Sequence, residues 1–344
     1  MKKIRNKKKK IYKSTILFII LDILAICGFI VMYGPWDDIR NFYVNTAMKT
    51  KDHKYLAKVF YNQERIDEIM SSNYFIAIKE EVKLDDIIID TSPKSSYDNK
   101  YDEEILTRDK GNNDYKVINI KVGISKGYLI AIYDPTKVSL IRAKKFNIGT
   151  YGEQVTAMCK RYGGLVCING GGFYDEGRGS DIPLGYVIDN EEIVWPLQNH
   201  DTQKGNIIGF NKEGKLVLLS NSTGTNALEN GIVDGLEFGP FLIVNGKPLE
   251  IVGDPWGRSP RVAIAQRRDG VVLFLVIDGE NYIDGASLSD MIEVLQKYGA
   301  YNAANLDGGH SSSLSINGKL YNNPPSIAKK QGGRYVVTGF GLMQ

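Results

Sequence analysis

The run from Thr15 to Tyr33 constrains this chain more than any other feature: almost every residue is apolar, interrupted only by Asp22, Cys27 and Gly28. Wound as a helix rising about 1.5 Å per residue, it extends roughly 28 Å, close to the hydrocarbon thickness of a bilayer. Asp22 near mid-membrane costs about 2.5–3.5 kcal/mol on insertion scales, which the surrounding Ile and Leu residues offset. Lys2, Lys3, Arg5, Lys7, Lys8, Lys9, Lys10 and Lys13 precede the run with no acidic residue among them, and basic flanks stay cytoplasmic. The expected layout is a cytoplasmic tail (1–14), one transmembrane helix (15–33) holding the chain in the cell membrane, and an extracellular remainder. A cleaved signal peptide competes, but no small-x-small site follows the run. A lipoprotein signal at Leu24-Ala25-Ile26-Cys27 has Ile26 where a small residue is needed.

Charge supports this division. Removing the eight tail cations from the net +3 leaves −5 for the other residues. A mildly acidic body argues against a nucleic-acid partner, which needs its basic charge on the folded domain. Tyr outnumbers Phe, 20 to 12, beside 36 glycines, a mixture suited to strands, turns and amphipathic aromatic surfaces that stack on sugars. Cys27 belongs to the apolar run; Cys159 and Cys167 fit either an extracellular disulfide or buried thiols.

Residues 34–114 read as a helical stalk and linker. Tyr55, Leu56, Val59, Phe60, Ile66 and Ile69 are the apolar members of a helical pattern over 44–70, ending at Ser71-Ser72-Asn73. Residues 91–114 are polar and turn-rich, as a linker would be. From 115 to 344 the text is β-rich, with paired strands at 116–122 and 128–134, a helix over 153–162 and a buried strand at 165–168. Hairpin signals recur at Lys212-Glu213-Gly214-Lys215, Asn245-Gly246, Arg268-Asp269-Gly270 and Asn317-Gly318. Ser287 and Asp290 form a capping-box spacing ahead of Leu288, Met291, Ile292 and Leu295, with Gly299 as the stop. This helix joins two apolar strands, 271–277 and 301–306. If those strands are parallel, Asp278 and Asp307 emerge on one sheet edge, where open sheets bind ligands. The expected fold class is α+β: mixed β-sheets with a few packed helices, preceded by a transmembrane helix and a helical stalk.

Three clusters carry chemistry. Asn169-Gly170-Gly171-Gly172-Phe173 follows a buried strand, and its glycines allow close backbone approach or an anion-facing N–H array. No Gly-Lys-Ser/Thr follows, so it is no P-loop. Asn305-Leu306-Asp307-Gly308-Gly309-His310-Ser311-Ser312 puts a carboxylate at a strand end, then permissive backbone, then two hydroxyls. Neighbouring residues rarely aim at one another as a Ser–His–Asp triad requires. Arg258-Ser259-Pro260-Arg261 and Arg334 stand before strands, where a guanidinium fork can bind phosphate. Three histidines in the whole chain give no metal-binding constellation; neither a metal nor a cofactor is expected.

Taken in order, Asn169–Phe173, Pro183-Leu184-Gly185, Phe238-Gly239-Pro240-Phe241-Leu242, Pro260-Arg261-Val262-Ala263-Ile264, Val276-Ile277-Asp278-Gly279-Glu280, Gly285-Ala286-Ser287-Leu288, Asn305–Ser312 and Arg334 resemble the phosphodiester glycosidase family. The resemblance spans about residues 115–342, and Thr46-Ala47-Met48 with Tyr55-Leu56-Ala57 resembles membrane-anchored versions from Gram-positive bacteria. It implies cleavage of a sugar-1-phosphodiester at the sugar C1–O bond in an exopolysaccharide or cell-wall glycopolymer. It also implies Asp307 and Asp278 as catalytic carboxylates, Asn169 on a sugar hydroxyl, and Gly170 and Gly171 with Asn305 lining the substrate site. Arg261, Arg334 and Gly308, Gly309, His310, Ser311 and Ser312 fall to the phosphate. Two positions depart from the family pattern: Gly172 replaces an aromatic residue and His310 replaces a glycine. Those departures keep open a non-catalytic glycan-binding or polymer-assembly protein, and a phosphodiesterase cutting at phosphorus is the third alternative.

Overall fold

The computed structural model describes residues 2–49, 54–147, 149, 151–175, 180–279, 284–325 and 332–344, with backbone alone for 2–14, 49, 180 and 181. The basic side chains of the tail and Glu280 therefore lie outside the described residues. The chain forms two compact units: Met1–Tyr74 with Val252–Gly257, and Phe75–Ile251 with Arg258–Gln344.

In the first unit a helix runs from Lys2 to Tyr33. Its Thr15–Tyr33 portion has a mean hydropathy of 2.8 over 19 residues and contains no buried residue, meeting the length and composition of a membrane span. The pattern expected over 44–70 is divided into Asp37–Lys49, Lys54–Phe60 and Gln63–Ser71. One break has a clear cause: Asn62 caps the last helix, its side chain accepting the Arg65 N–H at 2.8 Å. Val44, Ala47, Ala57, Tyr61, Ile66 and Ile69 close a small core between these helices.

The second unit is α+β and starts earlier than the sequence suggests. Residues 75–114 pack on the β-rich body instead of forming a free linker. Ile88 and Asp90 donate backbone N–H groups to the carbonyls of Arg268 and Asp269 at 2.8 and 3.0 Å. A helix over Lys100–Leu106, capped by Asn99, places Asp102 2.8 Å from Arg267. Because these anchors are polar, the composition of the segment reads as solvated when it is partly buried.

Three antiparallel sheets organise the body. A seven-stranded sheet has the order Lys247–Pro248, Phe241–Val244, Ala300–Leu306, Arg261–Arg267, Val272–Ile277, Ser125–Ile132, Tyr115–Val122. One five-stranded sheet runs Lys319–Leu320, Leu314–Ile316, Gly164–Asn169, Thr338–Met343, Val138–Arg142. The other is built around Ile232–Glu237 and Gly205–Asn211. Side chains from all three meet in one core that includes Ile130, Ile168, Phe210, Phe274 and Phe340. The three central strands of the large sheet are buried at every residue, because the helix Leu288–Lys297 also packs on it. That helix starts in the expected capping box. The Asn245-Gly246 and Asn317-Gly318 turns take the positive φ angles their sequences favour.

The strands bearing Asp278 and Asp307 do run in the same direction, but they are not adjacent. Arg261–Arg267 lies between them, antiparallel to both. Arg261 stands opposite Ile277 and Val262 opposite Leu306. Asp278, Arg261 and Asp307 thus reach one sheet edge by an antiparallel route.

Candidate active site

Asp307 marks the point where the large sheet hands the chain to its neighbour. Its N–H donates to Gly170 O at 2.8 Å, joining the Ala300–Leu306 strand to the end of Gly164–Asn169. A Cβ at Gly308 would stand 2.6 Å from Pro260 O, so only glycine lets the loop lie this close. Gly309 takes φ +59° and donates to Pro260 O at 2.8 Å. Asn169, 1 % exposed, fastens the loop at both ends: its Nδ2 donates to Asp307 O at 2.6 Å, and its Oδ1 accepts the Ser313 N–H at 2.9 Å. Asn169 stands behind the loop, with both ends of its amide committed there.

Asp307 as a residue is half-buried, but its carboxylate is desolvated. Burial lifts its pKa from 3.8 to about 6, against hydrogen bonds from the Ser311 hydroxyl and the Gly308 N–H and the nearby charge of Arg334. Arg334 Nη1 donates to Ser311 Oγ at 3.3 Å, so Ser311 links guanidinium and carboxylate. The other end of Arg334 pairs with Asp175, and its Cζ lies 4.9 Å from the Phe173 ring centroid. Asp175 carries no motif signal of its own and lies two residues beyond the Asn169–Phe173 cluster.

Asp278 is 7 % exposed and closely held. Asn322 Nδ2 donates to its Oδ1 at 3.0 Å, and the Asn323 N–H reaches both oxygens at 3.0 Å. Burial raises its pKa, opposed by Asn322, Asn323 and the Tyr128 hydroxyl. Burial, then the charge of Asp278, pushes Tyr128 up to about 12. Asn322 also donates to Ser312 O and accepts from Leu314 N, which ties Asp278 to the Asp307 loop. Neither Asn322 nor Tyr128 carried a motif. The register of Tyr128 opposite Val276 is the signal that places it near Asp278.

The remaining expected residues fall into two groups. Gly308, Gly309, exposed His310 and half-buried Arg334 lie at the accessible edge with Asp307. Gly170, Gly171, Asn305, Ser311, Ser312 and Arg261 are buried around it. Arg261 donates from Nε to Ala286 O at 2.9 Å, and Asn305 donates to Gly239 O at 2.9 Å. The N–H groups expected to face an anion are largely spent within the protein: Gly170 and Gly171 donate to the carbonyl and hydroxyl of Thr338, and in the phosphate loop Gly309 donates to Pro260, Ser311 to Gly308 and Ser312 to Gly309. Arg258 pairs with Asp290 at the start of the helix Leu288–Lys297. No group of three or more His, Cys, Asp or Glu with metal-binding geometry occurs among the described residues.

The chain belongs to the phosphodiester glycosidase family, whose model matches residues 162–343. It is similar to the SPbeta prophage-derived uncharacterized protein YomE of Bacillus subtilis, with 27% identity over 181 residues, 51% of this chain and 28% of that protein. It is 39% identical over 66 residues to N-acetylglucosamine-1-phosphodiester alpha-N-acetylglucosaminidase of Bos taurus, covering 19% of this chain and 12% of that one. The chain therefore matches less than a third of the length of either relative. The zebrafish N-acetylglucosamine-1-phosphodiester alpha-N-acetylglucosaminidase catalytic domain shares the fold, with a TM-score of 0.55 and 22% identity over 67% of this chain and 82% of that one.

Proposed function

We propose that this protein is a membrane-anchored extracellular glycosidase that hydrolyses a sugar-1-phosphodiester at the sugar C1–O bond, within an exopolysaccharide or cell-wall glycopolymer. The observation that carries this is the desolvated carboxylate of Asp307, whose pKa is lifted to about 6 beside Ser311 and Arg334. Such a group can exchange a proton near neutral pH, whereas Asp278 has both oxygens held by Asn322 and Asn323. The apolar helix supports the anchor. A disulfide between Cys159 and Cys167 supports an oxidising compartment.

In this reading Asp307 takes a proton from water as the water oxygen bonds to C1. The C1–O bond breaks and its electron pair leaves with the phosphate monoester. Arg334 stabilises that charge, with Arg261 adding positive potential from beneath the edge. A phosphate leaving group is weakly basic and needs little acid assistance. Asp278 supports the oxocarbenium-like ring electrostatically and holds the loop in place. With one strand between them, the backbones at Asp278 and Asp307 stand about 10 Å apart.

The test is turnover by the full chain in detergent micelles of methyl phosphodiesters of N-acetylglucosamine 1-phosphate and glucose 1-phosphate. Asp307→Asn should retain the fold and release no sugar. Undiminished turnover in that variant would remove Asp307 from the mechanism. Binding of glycopolymer without any product would make the protein a glycan-binding member of its family.

A further inference from the structure

A third carboxylate lies outside the chemistry assigned above. Glu237 ends the strand Ile232–Glu237 and lines an open hollow of about 170 Å³ together with Gly172, Leu184, Gly185, Asn206 and Phe238. Two glycines make space for it: a Cβ at Gly185 would stand 2.5 Å from Glu237 Oε2, and one at Gly205 2.0 Å from its Cδ. The carboxylate accepts the Tyr186 N–H at 3.2 Å, a bond that occupies one of its two oxygens. Burial raises its pKa, opposed by that bond. Asn206 uses its Oδ1 to accept the Asn221 N–H at 3.1 Å, leaving its amide NH2 as a donor in the hollow wall.

We propose that this hollow is a monosaccharide subsite, with Glu237 and Asn206 reading sugar hydroxyls and Phe238 and Leu184 covering the apolar side of the ring. This rests on the glycosidase reading of the adjoining edge and gives that reading a direction. Acceptor, donor, aromatic wall and aliphatic wall are what a pyranose requires, since each ring carries hydroxyls around a C–H surface. A carboxylate on the wall repels phosphate, so the anionic end of the substrate is excluded from the hollow.

The chain path sets the direction. Gly170 holds Asp307 through its carbonyl, Gly172 lines the hollow, and Asp175 pairs with Arg334. Three extended residues from Gly172 to Asp175 span about 10 Å, so sugar and phosphate subsites fall at the two ends of one short segment. Gly172 is the residue that opens the hollow. Its added Cβ would meet Phe238 at 3.2 Å and Leu184 at 3.5 Å, so a large side chain there would be built into the space the ring occupies.

The experiment uses the full chain carrying Asp307→Asn in detergent micelles, which removes turnover from the measurement. It is titrated by saturation-transfer NMR with the methyl glycosides of N-acetylglucosamine, glucose, galactose and mannose, with inorganic phosphate as competitor. At least one glycoside should bind, Gly172→Phe should abolish that binding, and Glu237→Gln should weaken it about tenfold. Phosphate should not displace the sugar. The isosteric Glu237→Gln keeps the test decisive if Gly172→Phe fails to fold. Absence of binding by all four glycosides, binding unchanged in Glu237→Gln, or competitive displacement by phosphate would each overturn the subsite. Sugar binding in this hollow by a protein that cleaves no phosphodiester would preserve the subsite and sink the catalytic reading instead.

Discussion

Asp307→Asn should make the protein both inactive and more stable. The native state holds the Asp307 proton more tightly than an unfolded chain does, since its pKa moves from 3.8 to about 6. For such a group, stability is highest below the unfolded value and is lost as pH rises through the folded one. A rise of this size corresponds to about 3 kcal/mol at pH 7.5. An amide of the same shape avoids that desolvation while still accepting from Ser311 or Gly308, and it loses the attraction of Arg334. The net expectation is a gain of about 1–3 kcal/mol, or roughly 2–6 °C in Tm. The assay is thermal unfolding of both proteins, followed by tryptophan fluorescence at pH 7.5 and pH 4.5. The variant's advantage should be clear at pH 7.5 and shrink toward zero near pH 4. A variant less stable than the parent at pH 7.5, or an advantage equal at both pH values, would refute the assignment of a desolvated, ionisable Asp307.

The same titration should appear in catalysis: kcat/KM falls as pH drops through about 6, where protonation removes the base, and a pH–rate profile reads it directly. Arg334→Ala should lower kcat/KM by about 10²–10³. Arg334→Lys should restore little, because one guanidinium serves Ser311 and Asp175 at once. Asn169→Ala leaves Asp307 O and Ser313 N without their partner and should cost about 2–4 kcal/mol in chemical denaturation. Replacing both Cys159 and Cys167 by Ser opens a short loop and should cost about 2–3 kcal/mol by the same measurement.

The sequence was most legible where one local rule governs. The capping box at Ser287, the Asn-Gly turns and the apolar strand carrying Leu306 each depend on residues close in the chain, and each lies where its pattern indicates. Long-range polar contacts were hidden. Asp102 contacts Arg267 across 165 residues and Asn322 contacts Asp278 across 44, and no periodicity marks either pair. A shared edge for Asp278 and Asp307 follows if their strands run the same way, and the structure reaches it with the distant-in-sequence strand Arg261–Arg267 between them. Asn169 shows another limit: a polar residue at a strand end reads as a ligand contact, whereas burial gives its amide to the backbone of Asp307 and Ser313. Glu237 had no motif of its own; its setting depends on Gly185 and Gly205, which are distant in the chain and adjacent in space.

Hydrolysis of a sugar-1-phosphodiester in oxygen-18 water, with mass spectrometry of both products, separates cleavage at the sugar carbon beside Asp307 from cleavage at phosphorus. The label should appear in the anomeric hydroxyl of the released sugar and be absent from the phosphate monoester, with Asp307→Asn yielding neither product. Label in the phosphate would place the reaction at phosphorus and contradict the account.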